Sequence, residues 1–152
     1  MEKRIALVTG ASRGIGHAIA EAMANAGFTV VGTATGESGV EKINAMLQAC
    51  GNDGGGVVMD VADSESVSTA LATIQERFGA PLVLVNNAGI TRDNIMLRMK
   101  EDEWEQVINT NLNSLYRVSK AVMKGMTKAR WGRIINVSSV VGLMGNAGQA
   151  NY

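Results

Sequence analysis

Ile5-Ala6-Leu7-Val8-Thr9-Gly10-Ala11-Ser12-Arg13-Gly14-Ile15-Gly16 joins a short apolar run to a glycine-bearing turn and to the first residues of a helical pattern. Ile5 to Val8 reads as a buried strand, because four apolar residues run without alternation into a turn signal. Glycines at positions 10, 14 and 16 permit a tight turn and let backbone N–H groups approach a pyrophosphate, whose charge then lies at the positive end of the following helix. Gly10, Ser12, Arg13, Gly14, Ile15 and Gly16 are therefore the first candidates for a dinucleotide site.

Outward from this stretch, strand and helix patterns alternate. Ile15, Ile19, Ala22, Met23 and Ala26 recur at helical spacing and Gly27 supplies a stop. Phe28 to Thr33 reads as a second strand. Ser38 to Ala49 reads as a helix with Val40, Ile43, Met46 and Leu47 on one side. The flexible run Gly54-Gly55-Gly56 then leads to a third strand, Val57 to Val61. Asp63 and Ser64 are good caps for a helix carrying Val67, Leu71, Ile74 and Phe78, which Gly79 and Pro81 end. Leu82 to Val85 is a fourth strand and Arg133 to Val137 a fifth. Between them, Glu103 to about Lys128 predicts one long amphipathic helix with Trp104, Val107, Ile108, Leu112, Leu115, Val118 and Val122 along a stripe. Gly142 to Tyr152 reads as a glycine-bearing loop.

Short apolar strands alternating with helices imply an α/β class, a Rossmann-like doubly wound parallel sheet in the order 3-2-1-4-5. Such a sheet normally continues past a fifth strand. The architecture is expected to be truncated before its last helices and strands, as one dinucleotide-binding domain over residues 1–152 that ends at Tyr152.

The 14 basic and 14 acidic residues balance without a block of like charge, which argues against a nucleic-acid or membrane-surface partner and for a small molecule. No apolar run approaches the ~18 residues of a membrane span, and the four apolar residues after Lys3-Arg4 are too few for a leader. A single cysteine, Cys50, fits a reducing compartment and lacks neighbours at metal-ligand spacing. A cytoplasmic protein without a metal site is the expectation. The only histidine, His17, falls on the first helix and is assigned no role.

Arg13 would project from the glycine turn beside phosphates or the adenosine ribose, unless it is simply a solvated loop charge. The second strand ends Gly32-Thr33-Ala34-Thr35, with no carboxylate where an NAD-selective site would hold the ribose hydroxyls, and Glu37 stands two residues further out. Arginine without that acid points to the 2′-phosphate of NADPH, since guanidinium pairs well with phosphate. Thr33 and Thr35 could add hydroxyl donors. Asp60, with Val61 after it, could accept from an adenine amino group or act as an ordinary turn residue.

Asn86-Asn87-Ala88-Gly89 closes the fourth strand on the edge where ligands of this architecture bind, so Asn87, Ala88 and Gly89 are further cofactor candidates. Asn111 interrupts an otherwise good helix at a cost of up to ~0.7 kcal/mol relative to alanine, which suggests an offsetting contact, although with Asn109 and Asn113 nearby this segment taken alone reads as a tolerated polar helix face. Ser138 and Ser139 end the fifth strand on the same edge. Tyr152 lies 13 residues beyond Ser139, within reach of folding back, and a phenol is a plausible proton donor to a ketone oxygen when a cation is near.

Taken in order, these motifs resemble the short-chain dehydrogenase/reductase family, and more narrowly the β-ketoacyl-acyl-carrier-protein reductases of bacterial fatty-acid synthesis. The resemblance rests on Thr9 to Gly16, Asn86 to Asn94, Asn109-Thr110-Asn111-Leu112, Gly132 to Gly142 and Met144 to Tyr152. It implies Asn111, Ser139 and Tyr152 as catalytic residues, NADPH as cofactor and a β-ketoacyl thioester on acyl carrier protein as substrate. It further implies a homotetramer, in which the long helix around Asn111 contributes to an interface. The lysine that the family places four residues after the tyrosine, and the substrate lid, would lie beyond position 152. Arg130 would match a basic position used for carrier docking, or is an exposed arginine without that role. The alternatives are a catalytically inactive dinucleotide-binding fragment and a related short-chain ketone or acyl-CoA reductase.

Overall fold

The computed structural model describes residues 2–152. Five parallel strands form one sheet in the order β3-β2-β1-β4-β5. In chain order the elements are β1 (Ile5–Val8), α1 (Gly14–Asn25), β2 (Thr29–Ala34), α2 (Glu37–Ala49), β3 (Gly55–Val58), α3 (Ser64–Arg77) and β4 (Val83–Asn86). A short 3-10 turn (Met96–Arg98), α4 (Glu101–Val107), a π-helical segment (Ile108–Asn113), α5 (Ser114–Ala129), β5 (Arg133–Asn136) and α6 (Val141–Met144) follow. The expected α/β class and strand order are those observed. Parallel pairing brings the carboxyl ends of all five strands to one edge, where the turns after β1, β3, β4 and β5 meet.

The period of two along each strand divides the core into two layers. Leu7, Val31, Val57 and Leu84 face α3 and α5, packing with Val67, Leu71, Ile74, Val118 and Val122. Val8, Val30 and Val85 face the other way, onto Ala20, Val40, Ile43 and Leu47 of α1 and α2. Consecutive apolar residues are tolerated in these strands because both faces are covered. β5 differs: among the described residues it pairs only with β4, and all four of its residues are exposed.

Three local expectations need correction. The third strand occupies Gly55–Val58, not Val57–Val61. The glycine run is structural: Gly55 and Gly56 pair with Val31 and Gly32, and a side chain on Gly56 would stand 2.9 Å from the Val40 carbonyl oxygen of α2. Absence of a side chain lets the helix lie close on the sheet.

The long helix is also not continuous. α4 gives way at Ile108 to six residues of wider π-helical turn before α5 resumes at Ser114. This shifts the helical phase. Val107, Val118 and Val122 remain buried while Leu112, expected on the same stripe, is exposed, as is Trp104. The tail beyond Gly142 is the third correction, since its start belongs to the short helix α6.

Helix ends follow local chemistry. The Asp63 carboxylate accepts from the N–H groups of Glu65 (2.9 Å) and Ser66 (3.4 Å), capping α3 as expected. α5 ends on Arg130 in the left-handed conformation (φ 53°), at the opposite sheet edge from Ser139. Two guanidinium groups approach the ring of Trp131 beside it, Arg4 at 3.7 Å and Arg133 at 4.7 Å from the ring centre.

Candidate active site

The turn after β1 is held by β4. The Thr9 hydroxyl, 1% exposed, accepts from the backbone N–H groups of Asn87 and Ala88, both at 3.0 Å. The Asn87 carboxamide nitrogen in turn donates to the carbonyls of Thr9 (3.2 Å) and Gly10 (3.1 Å). Gly16 lies so close beneath this junction that a Cβ there would stand 2.0 Å from the Gly10 carbonyl oxygen and 2.3 Å from Asn87 Nδ2. Asn87 thus spends its donors on the shape of the glycine turn. Thr9 is the residue that sequence reasoning missed; its place between the strand and Gly10 was the available signal.

In front of α1 the space is open. The helix begins after Arg13 with no side-chain cap and no acidic residue in its first turn, so its leading N–H groups stay available to an anion. A Cβ on Gly14 would meet nothing within 4 Å. Arg13 and Ile15 are exposed and Ser12 is half-buried beside them. This mouth fits a pyrophosphate. Among the described residues no carboxylate pairs with Arg13, whose charge is free to meet a phosphate.

The candidates at the adenosine side fall in different environments. Thr35 is exposed, whereas Thr33 is buried in β2 at 1% exposure, so its hydroxyl does not reach the ligand surface. Asp60 performs the turn role: its Oδ1 accepts from Ala62 N–H at 2.9 Å and its own N–H donates to Ser66 Oγ. The carboxylate nevertheless remains exposed, beside the buried Val61.

Ile90 to Asn94, leaving β4, organises the rest of the edge. Asn111 sits inside the π-helical segment with its Oδ1 accepting from Ile90 N–H (2.8 Å) and its Nδ2 donating to the Ile90 carbonyl (2.9 Å). This is the offsetting contact that its helix position called for. The tail returns to the same stretch: Asn94 N–H donates to the Gly148 carbonyl at 2.9 Å, and Gln149 Nε2 donates to Asp93 at 3.2 Å. Asn151, 5% exposed, donates from its carboxamide to the carbonyls of Arg92 (2.8 Å) and Glu103 (3.2 Å). Its neighbour Tyr152 is thereby set beside the start of α4 with its side chain 41% exposed.

Glu103 anchors that start. Its Oε2 accepts from Lys100 N–H (2.7 Å) and from Asn94 Nδ2 (3.2 Å). These two bonds, the backbone one foremost, hold its carboxyl below the ordinary glutamate value.

Ser139 follows β5 at the same edge. Its Oγ accepts from Val141 N–H at 3.2 Å, which leaves the hydroxyl proton free to point outward. Among the described residues no hydrogen bond joins Ser139, Asn111 and Tyr152 to one another. They are gathered at one sheet edge by separate anchors. Ala88 lies against Gly10 and Gly89 against Asn111, and Gly89 presents backbone to solvent. This sheet edge thus carries an uncapped helix start and open glycine turn suited to an anion, and the hydroxyl groups of Ser139 and Tyr152.

The family model described as short chain dehydrogenase matches residues 4–152. A protein of Pseudomonas aeruginosa named 3-oxoacyl-[acyl-carrier-protein] reductase FabG is 63% identical over 152 residues, covering 100% of this chain and 62% of that protein. Proteins of the same name from Vibrio harveyi and Escherichia coli K12 are 59% and 56% identical, covering 100% and 99% of this chain and 61% of each relative. The chain thus spans about three fifths of the length of the curated relatives it matches.

Proposed function

The chain belongs to the short-chain dehydrogenase family, and we propose that the protein reduces β-ketoacyl thioesters on acyl carrier protein to β-hydroxyacyl thioesters with NADPH. The observation that supports this most is the segment Ile90 to Asn94, which anchors both Asn111 and the tail bearing Tyr152. Reducing a ketone requires hydride at carbon and a proton at oxygen. When bound, the nicotinamide supplies the hydride.

The chain's own residues do the rest. Gly10, Ser12, Gly14, Ile15 and Gly16 bind the pyrophosphate through the uncapped start of α1, and Arg13 with Thr35 meets the 2′-phosphate. Asp60 and Val61 border the adenine, and Ala88 and Gly89 offer a flat backbone surface to the nicotinamide half. Ser139 donates a hydrogen bond from its free hydroxyl to the ketone oxygen and holds it, keeping its own proton. Tyr152 gives its proton to that oxygen as charge develops, and a cation held beside the phenol would sharpen it as an acid.

The protein works in the cytoplasm as a homotetramer, with the outer face of the π-helical segment and α5, where Leu112, Tyr116 and Met123 are exposed, contributing to contacts between copies. The test is NADPH oxidation by the purified full-length protein given acetoacetyl-carrier protein, beside its Tyr152→Phe variant. Turnover that the variant loses by about a hundredfold or more supports the reading. Dinucleotide binding without turnover returns the reading of a binding module, and equal turnover by Tyr152→Phe removes Tyr152 as proton donor.

A further inference from the structure

Six residues of π-helix interrupting two α-helices are less favourable than continued α-helix, so specific contacts must hold Ile108–Asn113 in that form. Asn111 bonding to Ile90 is one set. The other is a guanidinium. Arg117, one turn into α5, donates from Nη1 to the Asn109 carbonyl (3.1 Å) and the Val61 carbonyl (3.3 Å), from Nη2 to Asn109 Oδ1, and from Nε to Ser64 Oγ (3.2 Å). Asn109 Nδ2 completes the clamp by donating to the Ala62 carbonyl at 3.1 Å.

We propose that Arg117 is a positioning residue for Asn111, locking the π-helical segment to the turn between β3 and α3. This rests on the function proposed above. Asn109 lies two residues before Asn111, so the bonds that fix its backbone and side chain also fix the rotation at which the Asn111 carboxamide meets Ile90. Among the described residues no carboxylate lies within 4.0 Å of the guanidinium. Its charge is spent wholly on neutral oxygens of the two segments it joins. Only a planar fork with five donors can reach four such acceptors at once, which a lysine ammonium cannot. The turn it grips also carries Asp60 and Val61, so one side chain ties the adenosine end of the proposed dinucleotide site to the catalytic end.

The experiment compares full-length wild type with Arg117→Lys and Arg117→Met, reading amide hydrogen exchange at Ile90 and steady-state kinetics. The Ile90 N–H donates to Asn111 Oδ1, so its exchange reports directly on the Asn111 anchor without needing turnover. We expect faster Ile90 exchange in both variants while the core amides of β1 and β4 keep their protection. We also expect kcat lowered by about tenfold or more with KM for the acyl thioester little changed, the signature of misplaced chemistry. Combined with Asn111→Ala, Arg117→Lys should cost no further rate, because the two act through one group. Unchanged Ile90 exchange in Arg117→Lys overturns the proposal, whatever the kinetics show. Were wild type inactive, or Asn111→Ala fully active, the proposed function would fail while the exchange result still decided the role of Arg117. Arg117→Lys keeps the charge and the stem, so it remains informative should Arg117→Met fold poorly.

Discussion

Asn111 and Ile90, 21 residues apart, hold each other by two hydrogen bonds: the carboxamide oxygen accepts from the Ile90 N–H at 2.8 Å and its nitrogen donates to the Ile90 carbonyl at 2.9 Å. The side chain imitates a neighbouring strand, satisfying both backbone groups of a residue that has left the sheet. Its own helix is widened to let it reach. Asn111→Ala leaves both Ile90 groups without that partner. The expected cost is about 1–3 kcal/mol for the pair, read as a lower denaturation midpoint, with faster exchange at the Ile90 amide. A midpoint equal to wild type would show that water replaces the carboxamide freely.

Gly16 and Gly14 separate steric from conformational cost. Gly16→Ala drives a methyl group into the Gly10 carbonyl and the Asn87 carboxamide, so the turn must open and dinucleotide binding should be lost. Gly14→Ala meets no atoms, and only its positive φ of 58° resists, at about 1 kcal/mol. Titration with NADPH by fluorescence checks both. Comparable binding by the two variants would contradict the contact at Gly16.

Thr9→Val removes the acceptor shared by the Asn87 and Ala88 N–H groups without changing the shape of the buried side chain. Two partly buried donors are orphaned, so a loss of about 2 kcal/mol or more is expected, whereas Thr9→Ser keeps the acceptor and should lose less than half of that. Urea denaturation of the two variants measures it.

Arg13→Ala should weaken NADPH binding by about tenfold or more while leaving NADH nearly unaffected, since a guanidinium–phosphate contact carries the difference. Equal losses for the two dinucleotides would place Arg13 at the pyrophosphate and not at the ribose.

The Glu103 carboxyl is held below its unfolded value by the Lys100 N–H and the Asn94 amide. A carboxyl lowered in the folded state contributes stability above its unfolded pKa, and that contribution is lost as pH falls through the folded value. Glu103→Gln should therefore be less stable than wild type at neutral pH, with the gap closing in acid below the ordinary glutamate range. Thermal melts of both proteins across that interval test it. A gap that is constant with pH would mean that packing, not charge, carries the effect.

Much of this was legible in the chain. The apolar runs at β1 and β4, the turn glycines and the Asp63 cap each depend on a few neighbouring residues, so they could be read locally. The glycines at 54–56 misled, because a run of glycine looks flexible until a helix is seen to need the space. The stripe from Trp104 to Val122 predicted one helix, since periodicity counts residues per turn and has no means to register a single widened turn.

Periodicity, turn chemistry and motif order determined the α/β class, the strand order and the family, because burying both faces of short apolar strands admits few arrangements and right-handed crossovers admit fewer. Only the tertiary structure decided how the site is held. Asn87 serves the glycine turn, Thr33 is sealed in the sheet, and Arg117 grips a turn more than fifty residues earlier in the chain. Those roles rest on hydrogen bonds between groups far apart in sequence, whose formation depends on distances that exist only after the sheet has assembled.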